Sequence, residues 1–236
     1  MANHAILDPQ THRDLRVTHA RGEAMGDGVM SAIVVPSEFR RVQNDYPILF
    51  RLDLQSDRFA AHALFGFEPG ENLYLDGSGW DAGALPLAMA IQPFLIGTVP
   101  GGDTRQVHID LDSPRIRDDG VRLFDEFGQT TPYLEAVIEQ LRALDTGYQA
   151  SAGFFDALRR YELLEPFTLE VTLQDGSTNR LVGYHVIDEE KLRALDGGAL
   201  GELHRDGHLM PIFMALASLT NISALVARRN RRQAHG

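Results

Sequence analysis

Apolar and polar residues along this chain follow two rhythms, and the change from one to the other divides it. From Ser31 to Asp110 the repeat is short. SAIVVPSEF reads as a strand stopped at Pro36, and YPILFRLDL, residues 46–54, alternates apolar and polar side chains with the period of a half-buried strand. AHALFGFEPGENLYLDG predicts two short strands separated by a Pro-Gly turn, and PFLIGTVPGGDTRQVHIDLD predicts a hairpin turning at PGGD. Between them, WDAGALPLAMAIQ predicts a short helix capped by Asp81 with Pro86 in its first turns.

Beyond Pro114 helical spacing takes over. Leu134, Val137, Ile138, Leu141 and Leu144 share one helical face behind a start at Thr131 and Pro132. Phe154, Phe155, Leu158 and Tyr161 mark a second helix, with Ser151 as its cap. FTLEVTLQDGSTNRLVGYHVI predicts a hairpin around DGSTN; DEEKLRAL and ALGELHRDG predict short helices, and LMPIFMALASLTNISALVARR a long apolar one. The fold class is therefore α+β: an antiparallel-rich N-terminal half packed with a more helical C-terminal half containing a β-hairpin. Residues 1–30 are expected as a flexible arm, residues 31–228 as a single domain of two lobes (31–114 and 115–228) sharing one core, and residues 229–236 as a basic tail.

Composition narrows the chemistry. The chain has no cysteine, which excludes disulfides, thiolate zinc sites, iron–sulfur clusters and cysteine nucleophiles, so any metal needs His, Asp or Glu ligands. A net charge of -11 opposes binding to a phosphate backbone, and no nucleic-acid partner is expected. The basic cluster ARRNRRQAHG reads instead as a positive helix end that complements the macrodipole and then frays. The N-terminus lacks the apolar core of a secretory signal, and polar interruptions in the long apolar helix oppose a membrane span. The expected location is the cytoplasm. The same helix can be buried in the core or in a homo-oligomer.

The stretch VHIDLD carries the sharpest chemical possibility. His108 and Asp110 share one face of a strand, and with His185 they make the two-His, one-carboxylate set of an Fe(II)/2-oxoglutarate-type oxygenase, in which Arg180 would hold the cosubstrate carboxylate. The competing reading puts His108, Asp110 and Asp112 on the solvated face of an edge strand. His204 and His208 have metal-ligand spacing, yet Gly207 argues that their helix ends between them. GDG, DGSGWDAG and PGGD lack the spacing of a nucleotide loop, and no G-x-S-x-G elbow exists to anchor a hydrolase. No catalytic residue is assigned and no cofactor is called for. Trp80, beside Gly79, and the strand-end residues Asp110, Asp112 and Ser113 are the expected lining of a ligand pocket between the lobes. Against this, Trp80 also suits a loop-to-helix junction, and Asp-Ser-Pro suits a turn closed on its own backbone.

Several stretches in order, VVPSEFRRVQNDYPILF, ENLYLDGSGWDAGALPLAMAIQPFLIG, IDLDSPR, LFDEFGQTTPYLEAVIEQL and the run from LLEPFTLEV to MALASL, resemble the SapC family from about residue 30 to 228. The family name comes from a surface-layer gene locus, which implies a surface-layer-associated role. Members are also encoded near TonB-dependent outer-membrane receptors, tryptophan-halogenase-like flavoproteins and cupin-type proteins. That setting implies a cytoplasmic accessory or regulatory protein in nutrient uptake or in modification of a metabolite or peptide. The resemblance carries no catalytic set. Within IDLDSPR the Ile-Asp and Asp-Ser-Pro portions belong to the family pattern and the preceding His108 does not, which favours strand and turn over a metal site. The expected function is thus a non-catalytic accessory binding protein, with the oxygenase and the surface-layer component as alternatives.

Overall fold

Buried apolar side chains from strands and helices alike make up the core. The structure is a computed structural model and describes residues 3–77, 79–98, 105–172, 176 and 178–235. In chain order its N-terminal elements are β1 (His4–Ile6), β2 (Arg16–Val17), β3 (Ser31–Val34), α1 (Phe39–Val42), β4 (Ile48–Asp53), β5 (Arg58–Leu64), β6 (Leu75–Asp76), β7 (Gly79–Trp80) and α2 (Leu87–Ala90). They are followed by β8 (Phe94–Thr98), β9 (Arg105–Asp110), β10 (Val121–Arg122), α3 (Pro132–Arg160), β11 (Leu164–Thr172) and β12 (Thr178–Ile187). The chain closes with α4 (Glu189–Ala194), α5 (Gly197–Arg205), α6 (Leu209–Ser218) and α7 (Asn221–His235). Antiparallel sheets and helices together make the α+β class expected of the sequence.

The elements divide into two compact units. The first comprises Met1–Gly28, Leu75–Trp80 and Leu87–Thr146, the second Val29–Tyr74, Asp81–Pro86 and Gly147–Gly236. Neither is contiguous, so the units differ from lobes split at residue 115.

In the first unit, β9 is the centre of a three-stranded antiparallel sheet, β1-β9-β8, and β2 pairs with β10. Phe94, Ile109, Leu123, Phe124, Leu134, Val137 and Leu141 form its core. The N-terminal segment is not a loose arm. His4–Ile6 pairs with β9, and Asp27, fully buried, receives the Arg115 guanidinium at 2.6 Å, the Arg21 guanidinium at 3.3 Å and the Gly22 N–H at 2.9 Å. Arg115 also donates to the Ala20 carbonyl at 2.8 Å, and Arg21 to that of Met89 at 2.8 Å. Deleting one member of such a buried pair costs about 3–5 kcal/mol, because the other charge is left in a dry interior.

The second unit is built on a five-stranded antiparallel sheet, β11-β12-β4-β5-β3, with α6 packed on β4 and β12. Alternation along the strands sends Val34, Ile48, Phe50 and Ala61 to one face, where Phe39 and Phe154 meet Phe50 at ring separations of 6.4 Å each. The polar Ser218 is buried there for a reason: its hydroxyl accepts the Ile48 N–H at 2.8 Å and donates to the Ala215 carbonyl. At the far end, Arg228 binds Asp81 at 2.7 Å and lies 4.4 Å over the Tyr74 ring, Arg229 pairs with Glu71, and Arg232 donates to the Asn72 carbonyl at 2.9 Å. The basic tail is therefore docked helix rather than a frayed end.

Several expected boundaries move. The two helices predicted around Ser151 are one 29-residue helix, α3, within which the Ser151 hydroxyl donates to the Gly147 carbonyl four residues back instead of capping a helix start. The single long C-terminal helix is two, α6 and α7, parted where the Asn221 side chain donates to the Gln43 carbonyl. Helix α2 starts after Pro86, and Asp81 serves Arg228 instead of capping it. The strands of both predicted hairpins pair antiparallel; PGGD and two residues of DGSTN, Asp175 and Ser177, lie outside the described residues.

Candidate functional site

The first unit carries a groove of about 400 Å³, within the range of small-molecule sites. Three local structures make its walls. The ends of β1 and β9 give Ile6, Leu7, Gln106 and Val107, and Leu7 is fixed there by donating its N–H to the Val107 carbonyl at 2.8 Å. The start of α3 gives Leu134 and Ile138, one turn apart on the helical face that also feeds the core. A tight turn between them gives Gly128, Gln129 and Thr130 beside Phe124.

That turn is held by one carboxylate. Asp125 accepts the N–H groups of Phe127 and Gln129, each at 2.8 Å, while Gly128, at φ 79, makes the reversal that a side chain would resist. Thr131 then starts the helix as expected, its hydroxyl accepting the Leu134 N–H at 3.4 Å. Opposite, Asp8 accepts the N–H groups of Gln10 and Thr11 at 2.6 and 3.0 Å and so fixes Pro9 at the rim. The Thr11 N–H, then that of Gln10, hold the Asp8 carboxyl below the usual carboxylate range.

Among the described residues, no lining side chain carries a charge. The polar groups are Gln106, Gln129 and Thr130. The Gln106 amide oxygen is buried with no hydrogen-bond partner, a condition that costs about 1–3 kcal/mol. Past Thr130 and Ile138 the surface continues into a second depression of about 540 Å³ over Glu135, Glu139 and Arg142. Apolar walls, a neutral rim and one unused acceptor suit binding of an uncharged ligand.

The residues expected to bind a ligand stand elsewhere. Trp80 pairs with Leu75 in the β6–β7 hairpin and is half-buried. Asp110 ends β9 and accepts the Asp112 N–H at 3.2 Å, Asp112 is exposed, and Ser113 accepts the Arg115 N–H at 3.3 Å. Asp110 and Ser113 thus shape the turn that sends Arg115 inside, and none of the four lines the groove.

The expected oxygenase ligands are divided between the two units. His108 lies on β9 in the first unit with its ring across Gly97, where any added Cβ would come within 2.5 Å of Nε2. His185 lies on β12 in the second unit, paired with Phe50 and 5.0 Å from the Phe59 ring, and Arg180 is exposed opposite Glu170. Burial holds the His185 imidazole below its usual pKa. His204 is exposed on α5, which ends at Gly207 with φ 77, while His208 packs 5.8 Å from the Phe154 ring. Among the described residues, no group of three or more His, Cys, Asp or Glu side chains is placed to hold a metal ion.

The groove residues were missed because Leu134 and Ile138 read as ordinary core positions. Only the polar Gln-Thr-Thr preceding them hinted at an opening. Among known proteins, the model of the SapC family matches residues 7–225. No curated protein and no solved structure matches the chain.

Proposed function

The chain belongs to the SapC family, and from that premise and the geometry of its first unit we propose that it is a non-catalytic cytoplasmic binding protein, accessory to or regulating a system of nutrient uptake or of metabolite or peptide modification. The observation that carries this reading is the groove between β1, β9 and α3, with its apolar walls and no charged side chain among its described lining residues. A shape of this kind selects ligands by burying apolar surface, worth roughly 25 cal/mol per Å² removed from water, and orients them through a few neutral polar groups. The physiological frame comes from the family's setting beside TonB-dependent receptors, flavoproteins and cupin-type proteins.

The test uses Nile red, a neutral dye whose emission rises on leaving water. The wild-type protein is expected to bind it saturably at one site, and Ile138→Trp, which fills the groove, to abolish that site while its circular dichroism stays unchanged. Equal binding by wild type and variant would remove the groove from the account.

A further inference from the structure

The groove's wall contains a feature that apolar burial does not explain. Gln106 faces Gly97 across the β8–β9 pair and lines the groove, yet its amide oxygen is buried and accepts no hydrogen bond. A buried acceptor of this kind gains whenever a donor is brought to it, and the last torsion of a glutamine is broad enough to turn the amide toward an arriving group. Leu7, Val107, Phe124, Leu134 and Ile138 give apolar wall, and Gln129 and Thr130 add neutral polar groups at the turn.

We propose that the groove takes an uncharged amphipathic molecule: an apolar chain or ring seated against Phe124, Leu134 and Ile138, bearing an N–H or O–H that donates to the Gln106 amide oxygen. This rests on the groove being the binding site. Among the described residues no charged side chain lines the groove, which favours an uncharged ligand, because an ion drawn into an apolar groove would lose its hydration without a counter-charge. The chain's net charge of -11 disfavours anions further.

Two probes with one apolar body separate the ideas: octanamide, which carries two N–H donors, and N,N-dimethyloctanamide, which carries none. Calorimetric titration of the full-length protein is expected to give about tenfold tighter binding of octanamide, the discrimination that one satisfied buried acceptor supplies. In Gln106→Leu, close in size and without the acceptor, the two probes should bind alike; Gln106→Met serves if that variant does not fold. Equal affinities in the wild type would overturn the donor preference and leave the groove as the site. Binding of neither probe would overturn both.

Discussion

At the scale of single residues, the informative positions are polar groups buried for a structural purpose. His62 lies on β5 with Ser31, Arg51 and Tyr184 beside it: its Nδ1 is 3.4 Å from the Ser31 hydroxyl, and its ring is 6.5 Å from that of Tyr184. Burial first, and the Arg51 charge second, push its pKa down to about 4. Protonation is therefore easier in the unfolded chain, where a histidine titrates near 6.5, than in the folded one. The sign follows: His62 contributes stability that is fully present above pH 6.5 and is lost as pH falls toward 4. Between pH 7 and 5, urea unfolding of the wild type should lose about 2 kcal/mol more than that of His62→Gln. Parallel pH profiles for the two proteins would show that His62 is not the group responsible. The same scale limits what a sequence can disclose. IDLDSPR was legible as a strand entering a turn, but not that its arginine turns inward, because Arg115 is drawn in by Asp27, 88 positions away.

At the scale of elements, α3 carries a paired prediction. Gly147 packs so closely on Val35 that an added Cβ would sit 2.6 Å from a Val35 methyl and 2.9 Å from the Ser37 hydroxyl. Gly153, six residues on, has nothing nearer than the His208 imidazole at 3.9 Å. Alanine favours a helix interior by about 1 kcal/mol over glycine, so Gly153→Ala should raise the denaturation midpoint. Gly147→Ala should lower it, by about 1–3 kcal/mol of overpacking set against the same propensity gain. Two increases would mean that Val35 moves aside freely. This contact also accounts for the expected break in the helix. Glycine and serine near residue 150 look like a terminus when only local preference is weighed, whereas the glycine makes room for Val35, just beyond β3, a neighbour that periodicity does not display. Strands and hairpins were more legible, since YPILFRLDL and the LVGYHVI strand carry their pattern within themselves. The groove was the least legible element, being made of separate segments spread between residues 6 and 138.

At the scale of the whole molecule, the apolar run Leu209–Ala234 is long and apolar enough to cross a membrane by length and composition. Met210 and Phe213 stand out from α6, 56% and 52% exposed. Against a span, Ser218, Asn221, Arg228, Arg229 and Arg232 all bind groups of their own unit, and each bond would be lost in lipid. The account predicts that the protein is recovered from lysed cells in the detergent-free soluble fraction; recovery only with membranes would mean that these bonds do not hold it.

The central claim, that this SapC-family chain binds a ligand in the groove of its first unit, is tested most directly by methyl NMR of the isoleucine- and leucine-labelled protein titrated with octanamide. The account predicts shifts confined to Ile6, Leu7, Leu134 and Ile138, with the second unit's Leu49, Leu64 and Ile212 unmoved. Shifts centred on those second-unit methyls, or none at saturating probe, would contradict it.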